Sequence, residues 1–110
     1  MSSINVNQLV ATMLQAAQGV LTQKWPEARD YVECELKKIG DAIAFIEAQR
    51  ALNLMSDEKA KLHLEMQKNT SKIVLLTVKG LGTLAVEDAI NAALGVVKST
   101  VNTALGFILL

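Results

Sequence analysis

The charged side chains of this chain are concentrated in its middle. Residues 1–23 carry none, residues 24–72 carry 18 of the 22, and residues 73–110 carry the remaining four. Long uncharged segments are stable in water only when their apolar side chains are covered. The pattern therefore predicts that the two ends pack together, against partner subunits or in lipid, while the middle of the chain faces water.

Helix-forming residues fill nearly every segment between the turn residues. Proline occurs once, and no Asn-Gly or Asp-Gly turn joins two alternating apolar runs, so strands have little support. The sequence predicts an all-α fold, an elongated helical bundle of three to four helices built on an antiparallel helical hairpin, in a single helical domain over residues 1–110. The predicted segments are an apolar uncharged helix at 4–23, a charged hairpin at 26–54 and 57–79, and an apolar C-terminal helix at 83–109.

Local signals mark the ends of the predicted helices. Pro26 suits the first turn of a helix, because its missing N–H has no partner to lose there. Ser56, followed by two acidic residues, is typical of an N-cap, and the short connection before it predicts that the second and third helices are antiparallel. Gly80 and Gly82 predict a break or a kink, and leave open whether the third and fourth helices are continuous.

Each arm of the hairpin carries an apolar seam with heptad-like spacing. The seam of the first arm consists of Val32, Leu36, Ile39, Ile43 and Ile46, and that of the second arm of Leu62, Met66, Ile73 and Leu76. Asn69 interrupts the second seam. A polar residue at such a position either fixes register and oligomer state or lies at the edge of the stripe.

The terminal helices carry the residues that we expect to meet a partner subunit. A 110-residue elongated bundle has little interior of its own, so two nearly uncharged ends favour a homo-oligomer whose core they form. The first helix adds an uncharged polar face of Gln and Thr, which suits a helix shielded from bulk water. The predicted interface residues are Val86, Ile90, Leu94, Val97, Val101, Leu105, Ile108, Val10 and Met13.

Residues 89–110 carry a single charge and are long enough to span a bilayer, although Asn, Ser and Thr residues lower their hydrophobicity. Lys98 lies near their middle, where a lysine costs about 2.5–3.5 kcal/mol on insertion. A core helix in a bundle or oligomer explains the same pattern at lower cost. Insertion together with partners that hide the lysine stays open as an alternative.

The groups needed for catalysis are sparse. His63 is the only histidine and Cys34 the only cysteine, and no Glu-x-x-His pair or phosphate-binding glycine loop occurs. We therefore expect no catalytic site, no metal and no cofactor. A lone cysteine and the missing basic leader at the N-terminus favour a cytoplasmic protein. Zero net charge and only four aromatic residues argue against nucleic-acid binding.

These observations predict a non-enzymatic structural or interaction protein, a self-assembling helical module whose apolar terminal helices bury against partner subunits. Two alternatives stay open. One is a membrane-active or membrane-associated helical protein that inserts its C-terminal helix into lipid. The other is a protein that binds an apolar ligand between the tail helices.

Overall fold

A computed structural model describes residues 4–110, and the all-α prediction is confirmed. Within that range the chain forms four α-helices and no strand. A 3₁₀ turn at Thr22–Lys24 separates the first two helices. The helices are α1 (Val6–Leu21), α2 (Trp25–Ala51), α3 (Asp57–Leu75) and α4 (Thr83–Leu105).

The helix ends follow local chemistry. The Asn5 side chain accepts a hydrogen bond from the Gln8 N–H at 3.0 Å, and Ser56 accepts one from the Lys59 N–H at 3.2 Å, so Ser56 is the N-cap of α3. α3 ends before the glycine pair, and Gly80 adopts a left-handed φ of 91° that a side chain would oppose. The third and fourth helices are therefore separate.

Neighbouring helices run antiparallel in the order α4, α1, α2, α3. α1 packs along both α4 and α2, while α3 packs along α2 and touches α4 little. The molecule measures 42 × 22 × 18 Å with a radius of gyration of 13.7 Å, so it is elongated along the helix axes, as predicted. The two apolar ends of the sequence lie together as α1 and α4.

α1 packs closely against α2 at Gly40. A Cβ at this position would lie 3.1 Å from Val10 Cγ2 and 3.3 Å from Val6 Cγ1. The missing side chain therefore allows the two helix backbones to pack tightly. The predicted seam of α2 faces inward, and all five of its side chains are buried: Val32, Leu36, Ile39, Ile43 and Ile46.

The apolar residues assigned to a subunit interface lie mostly inside the chain itself. This corrects their proposed location, because α4 covers them by packing on α1. The buried members are Val86, Ile90, Leu94, Val97, Val101 and Met13; Val10 and Leu105 are half-buried, and Ile108 is exposed. On the polar face of α1, Gln8, Gln15 and Gln18 are exposed in the single chain.

Arg50 joins the tip of the hairpin to the C-terminal tail. Its guanidinium pairs with Asp57 and donates a hydrogen bond to the Met55 carbonyl oxygen at 3.2 Å. The same group lies 4.2 Å from the ring centroid of Phe107, in cation–π geometry. One side chain thus connects the end of α2, the start of α3 and the segment after α4.

Candidate functional site

The seam predicted for α3 faces solvent rather than the core. Two residues of separation rotate a side chain by about 200° around a helix, so α3 carries two opposite stripes. The inner stripe, which packs towards α2 and the core, contains Ala60, Leu64, Ser71 and Leu75, all of them buried. We call the opposite set the outer stripe; it consists of Leu62, Met66, Asn69, Ile73 and Leu76.

Every side chain of the outer stripe is exposed, although four of the five are large and apolar. Met66 is 61% exposed and Ile73 is 65% exposed. The seam that the sequence predicts for α3 therefore lies on the outer face of the hairpin. The inner stripe, in which Ala60 and Ser71 alternate with leucines, is the face that packs towards α2 and the core.

The spacing of the outer stripe is 4-3-4-3, as in a coiled-coil seam. Leu76 follows the last residue of α3 but keeps helical dihedral angles and donates its N–H to the Lys72 carbonyl oxygen at 3.0 Å, so the stripe is continuous to its end. On the edge nearest α2, the half-exposed Phe45 ring lies 5.2 Å from the His63 ring. This contact extends the apolar surface sideways.

The opposite edge of the outer stripe is charged. Glu65 lies beside Met66 and pairs with Lys68 at 3.5 Å, and Lys72 lies two helical turns further on. Negative charge therefore borders the first half of the stripe and positive charge the second half. An apolar seam with charged borders is the arrangement by which helices select partners and orientation.

Glu35 is buried and is the clearest ionisable group inside the fold. One carboxylate oxygen accepts a hydrogen bond from Lys38 Nζ at 3.0 Å, and the other, Oε1, has no hydrogen-bond partner. The hydrogen bond and the charge of Glu35 raise the pKa of Lys38 above its ordinary value. The pair joins residues three apart on one face of α2 and is an ion pair within that helix.

The remaining sequence candidates are dispersed. Cys34 is exposed on α2, and His63 is half-buried against Phe45. Across residues 4–110, no three His, Cys, Asp or Glu side chains are grouped as metal ligands. The hollow between α1 and α4 has a volume of about 160 Å³, below the about 300–1,000 Å³ typical of ligand pockets. In the same range, every helix is too short or too polar to cross a bilayer.

Comparison with protein-family models, with curated proteins and with solved structures finds no match to this chain.

Proposed function

We propose that this protein is a non-enzymatic helical interaction module that self-associates through the outer stripe of α3. The observation that carries the proposal is the exposure of four large apolar side chains at heptad spacing on one helix face. Monomeric proteins rarely expose contiguous apolar surface of this kind, and such surfaces usually mark interaction sites. The partner surface thus moves from the terminal helices, where the sequence placed it, to α3.

A second copy is the occupant that the charges favour. The chain has 11 basic and 11 acidic residues, so two copies do not repel each other through net charge. The borders of the outer stripe carry both signs, with Glu65 towards one end and Lys72 towards the other. A surface with both signs at its edges can be complementary to itself, as two-fold symmetry requires.

The expected association is weak. Complete burial of a Leu, Ile or Met side chain contributes about 1.5–3 kcal/mol, and the outer stripe offers four partly exposed ones on each copy. Lost translation and rotation cost about 4–15 kcal/mol on association. Because these magnitudes are similar, we expect a dimer with a dissociation constant of about micromolar size.

Light scattering after gel filtration, over a range of protein concentrations, tests the proposal. We expect the mass to rise from monomer to dimer with concentration. Ile73→Glu places a carboxylate of each copy in the contact and should weaken the dimer at least about tenfold. Leu84→Glu is the matched control, because Leu84 is 72% exposed on α4 and lies outside the outer stripe.

Three outcomes decide between the alternatives. A dimer lost in Ile73→Glu and kept in Leu84→Glu, with unchanged circular dichroism for both variants, supports the proposal. A wild-type protein that stays monomeric at every concentration overturns it. A monomer that floats with anionic or neutral liposomes, and loses that property in Ile73→Glu, also overturns it and assigns the outer stripe to a lipid surface.

A further inference from the structure

We infer that the two copies place their α3 helices antiparallel, with Met66 of each copy facing Asn69 of the other. This inference rests on the proposed self-association and adds the orientation and register of the contact. The symmetry axis then passes between Gln67 and Lys68. The spacing of the outer stripe and the charges along its border favour this arrangement, and the amide of Asn69 is compatible with it.

The heptad positions of the outer stripe define which side chains can meet. Met66 and Ile73 occupy the a positions, and the d positions are taken by Leu62, Asn69 and Leu76. In an antiparallel pair of this kind, the residues at position a of one helix lie opposite the residues at position d of the other. In the proposed register Leu62 of one copy packs against Ile73 of the second copy, and the same contact repeats on the other side of the axis.

The charged border selects this orientation. Glu65 and Lys72 both occupy g positions, and antiparallel packing brings the g positions of the two copies along the same edge. Glu65 of each copy then lies beside Lys72 of the other, which forms two symmetric ion pairs. In a parallel pair, Glu65 would instead lie opposite the uncharged Thr70 of the second copy, and no ion pair would form.

The same border selects the register. Moving one copy by a heptad keeps apolar residues opposite each other over part of the outer stripe. That shift brings Lys72 opposite Lys72 of the second copy, and like charges at this distance oppose association. Moving that copy by a heptad in the other direction brings Glu65 opposite Glu65 of the second copy, even though Glu58 then lies beside Lys72. The register centred between Gln67 and Lys68 sets no like charges opposite each other along this border.

Asn69 is compatible with this arrangement. In the proposed register the two Asn69 side chains occupy adjacent layers of the contact, three residues apart along the axis, which is about 4.5 Å. Side-chain amides can hydrogen-bond across that separation, so each amide has a partner when the contact excludes water. A parallel pair would also bring the two amides together, so the charges, and not Asn69, decide the orientation.

Disulfide cross-linking tests the orientation directly. Cys34→Ser removes the only native thiol, and Leu62→Cys and Ile73→Cys are introduced separately into that background. Disulfides need Cα atoms within about 7 Å, so each cysteine reports only the residue that faces it. We expect rapid oxidation to a covalent dimer in an equimolar mixture of the two variants, and at least about tenfold slower oxidation in either variant alone.

Charge reversal supplies a second, independent test. Glu65→Lys should weaken the dimer about tenfold, because both ion pairs become repulsive, and Lys72→Glu should do the same. The double variant Glu65→Lys/Lys72→Glu restores opposite charges across the axis and should recover the wild-type dissociation constant. Single reversals that leave the dissociation constant unchanged would overturn the assigned pairing.

The outcomes separate this inference from the proposed function. A covalent dimer that forms within each single-cysteine variant as fast as in the mixture indicates parallel helices and overturns the inference, while self-association stands. A wild-type protein that is monomeric by light scattering removes both. Cross-linking confined to the mixture, together with recovery in the double charge variant, supports the antiparallel contact.

Discussion

The Asn102 side chain binds the last two residues of the chain to the end of α4. Its Oδ1 atom accepts hydrogen bonds from the Leu109 N–H at 2.9 Å and the Leu110 N–H at 3.0 Å. Gly106, with a left-handed φ of 74°, turns the chain back after α4 so that these donors can reach it. The last apolar residues are thereby held against the fold, where Leu109 is buried.

We expect Asn102→Ala to lower the free energy of unfolding by about 1–2 kcal/mol, because two backbone donors lose their acceptor. Hydrogen exchange of the Leu109 and Leu110 amides should accelerate at the same time. Asn91→Ala is the control, since Asn91 is exposed on the same helix. Equal unfolding midpoints for the two variants in urea would contradict the role assigned to Asn102.

Ser56 and Asn102 both accept hydrogen bonds from backbone N–H groups, but only the role of Ser56 can be predicted from the sequence. Ser56 is recognisable because its partner, the Lys59 N–H, lies three residues away. Asn102 is not, because its partners lie after a reversal of the chain at Gly106. Arg50 is missed for the same reason: its contacts with Asp57 and Phe107 depend on how α3 and the tail pack around the hairpin tip.

At the scale of helices, the apolar stripe of the charge-poor α4 is buried within the chain. Val97 is 3% exposed and lies in the contact with α1, whereas its neighbour Val96 is 52% exposed. The sequence alone identifies the apolar stripe of α4 but not what covers it. A stripe buried within the chain and one buried between subunits have the same periodicity.

Two neighbouring substitutions on α4 distinguish these locations. Val97→Asp buries an unpaired carboxylate and should lower the free energy of unfolding by about 3 kcal/mol or more. Val96→Asp should change it by less than about 0.5 kcal/mol, because that side chain already faces water. Chemical denaturation at a concentration where the protein is monomeric measures both. A folded, stable Val97→Asp monomer would contradict the internal position of this stripe.

α3 is the element whose role the sequence leaves undecided. Its two apolar stripes are opposite each other, and periodicity identifies both without ranking them. Residue size misleads here, because four large apolar side chains lie on the outer stripe, whereas the buried inner stripe has two leucines with the smaller Ala60 and Ser71. The seam predicted for α2 is buried by contrast, because that helix packs against both α1 and α3.

For the whole molecule, the order of the helices makes α1 central and α3 peripheral. α1 is covered by both α4 and α2, whereas α3 is held mainly by α2. The charge distribution predicted that the uncharged ends of the chain belong together, and α1 and α4 do pack on each other. It could not predict which charged helix would lie at the edge of the bundle.

This arrangement predicts unequal local stability. Elements with fewer buried contacts open more readily, so backbone amides in the middle of α3 should exchange at least about tenfold faster than those in the middle of α1. Hydrogen-exchange mass spectrometry at low protein concentration measures the difference in the monomer. Equal protection of the two helices would show that α3 is held as firmly as α1, contrary to its peripheral position.

The opposite stripes of α3 have a consequence for how such a sequence can diverge. The inner stripe meets α2 and the core, and the outer stripe is exposed to solvent in the single chain. Substitutions on the outer face are therefore nearly neutral for folding, and selection can act there on association alone. Descendants of this chain could change or lose their partner through a handful of substitutions at positions 62, 66, 69, 73 and 76 and keep the same bundle.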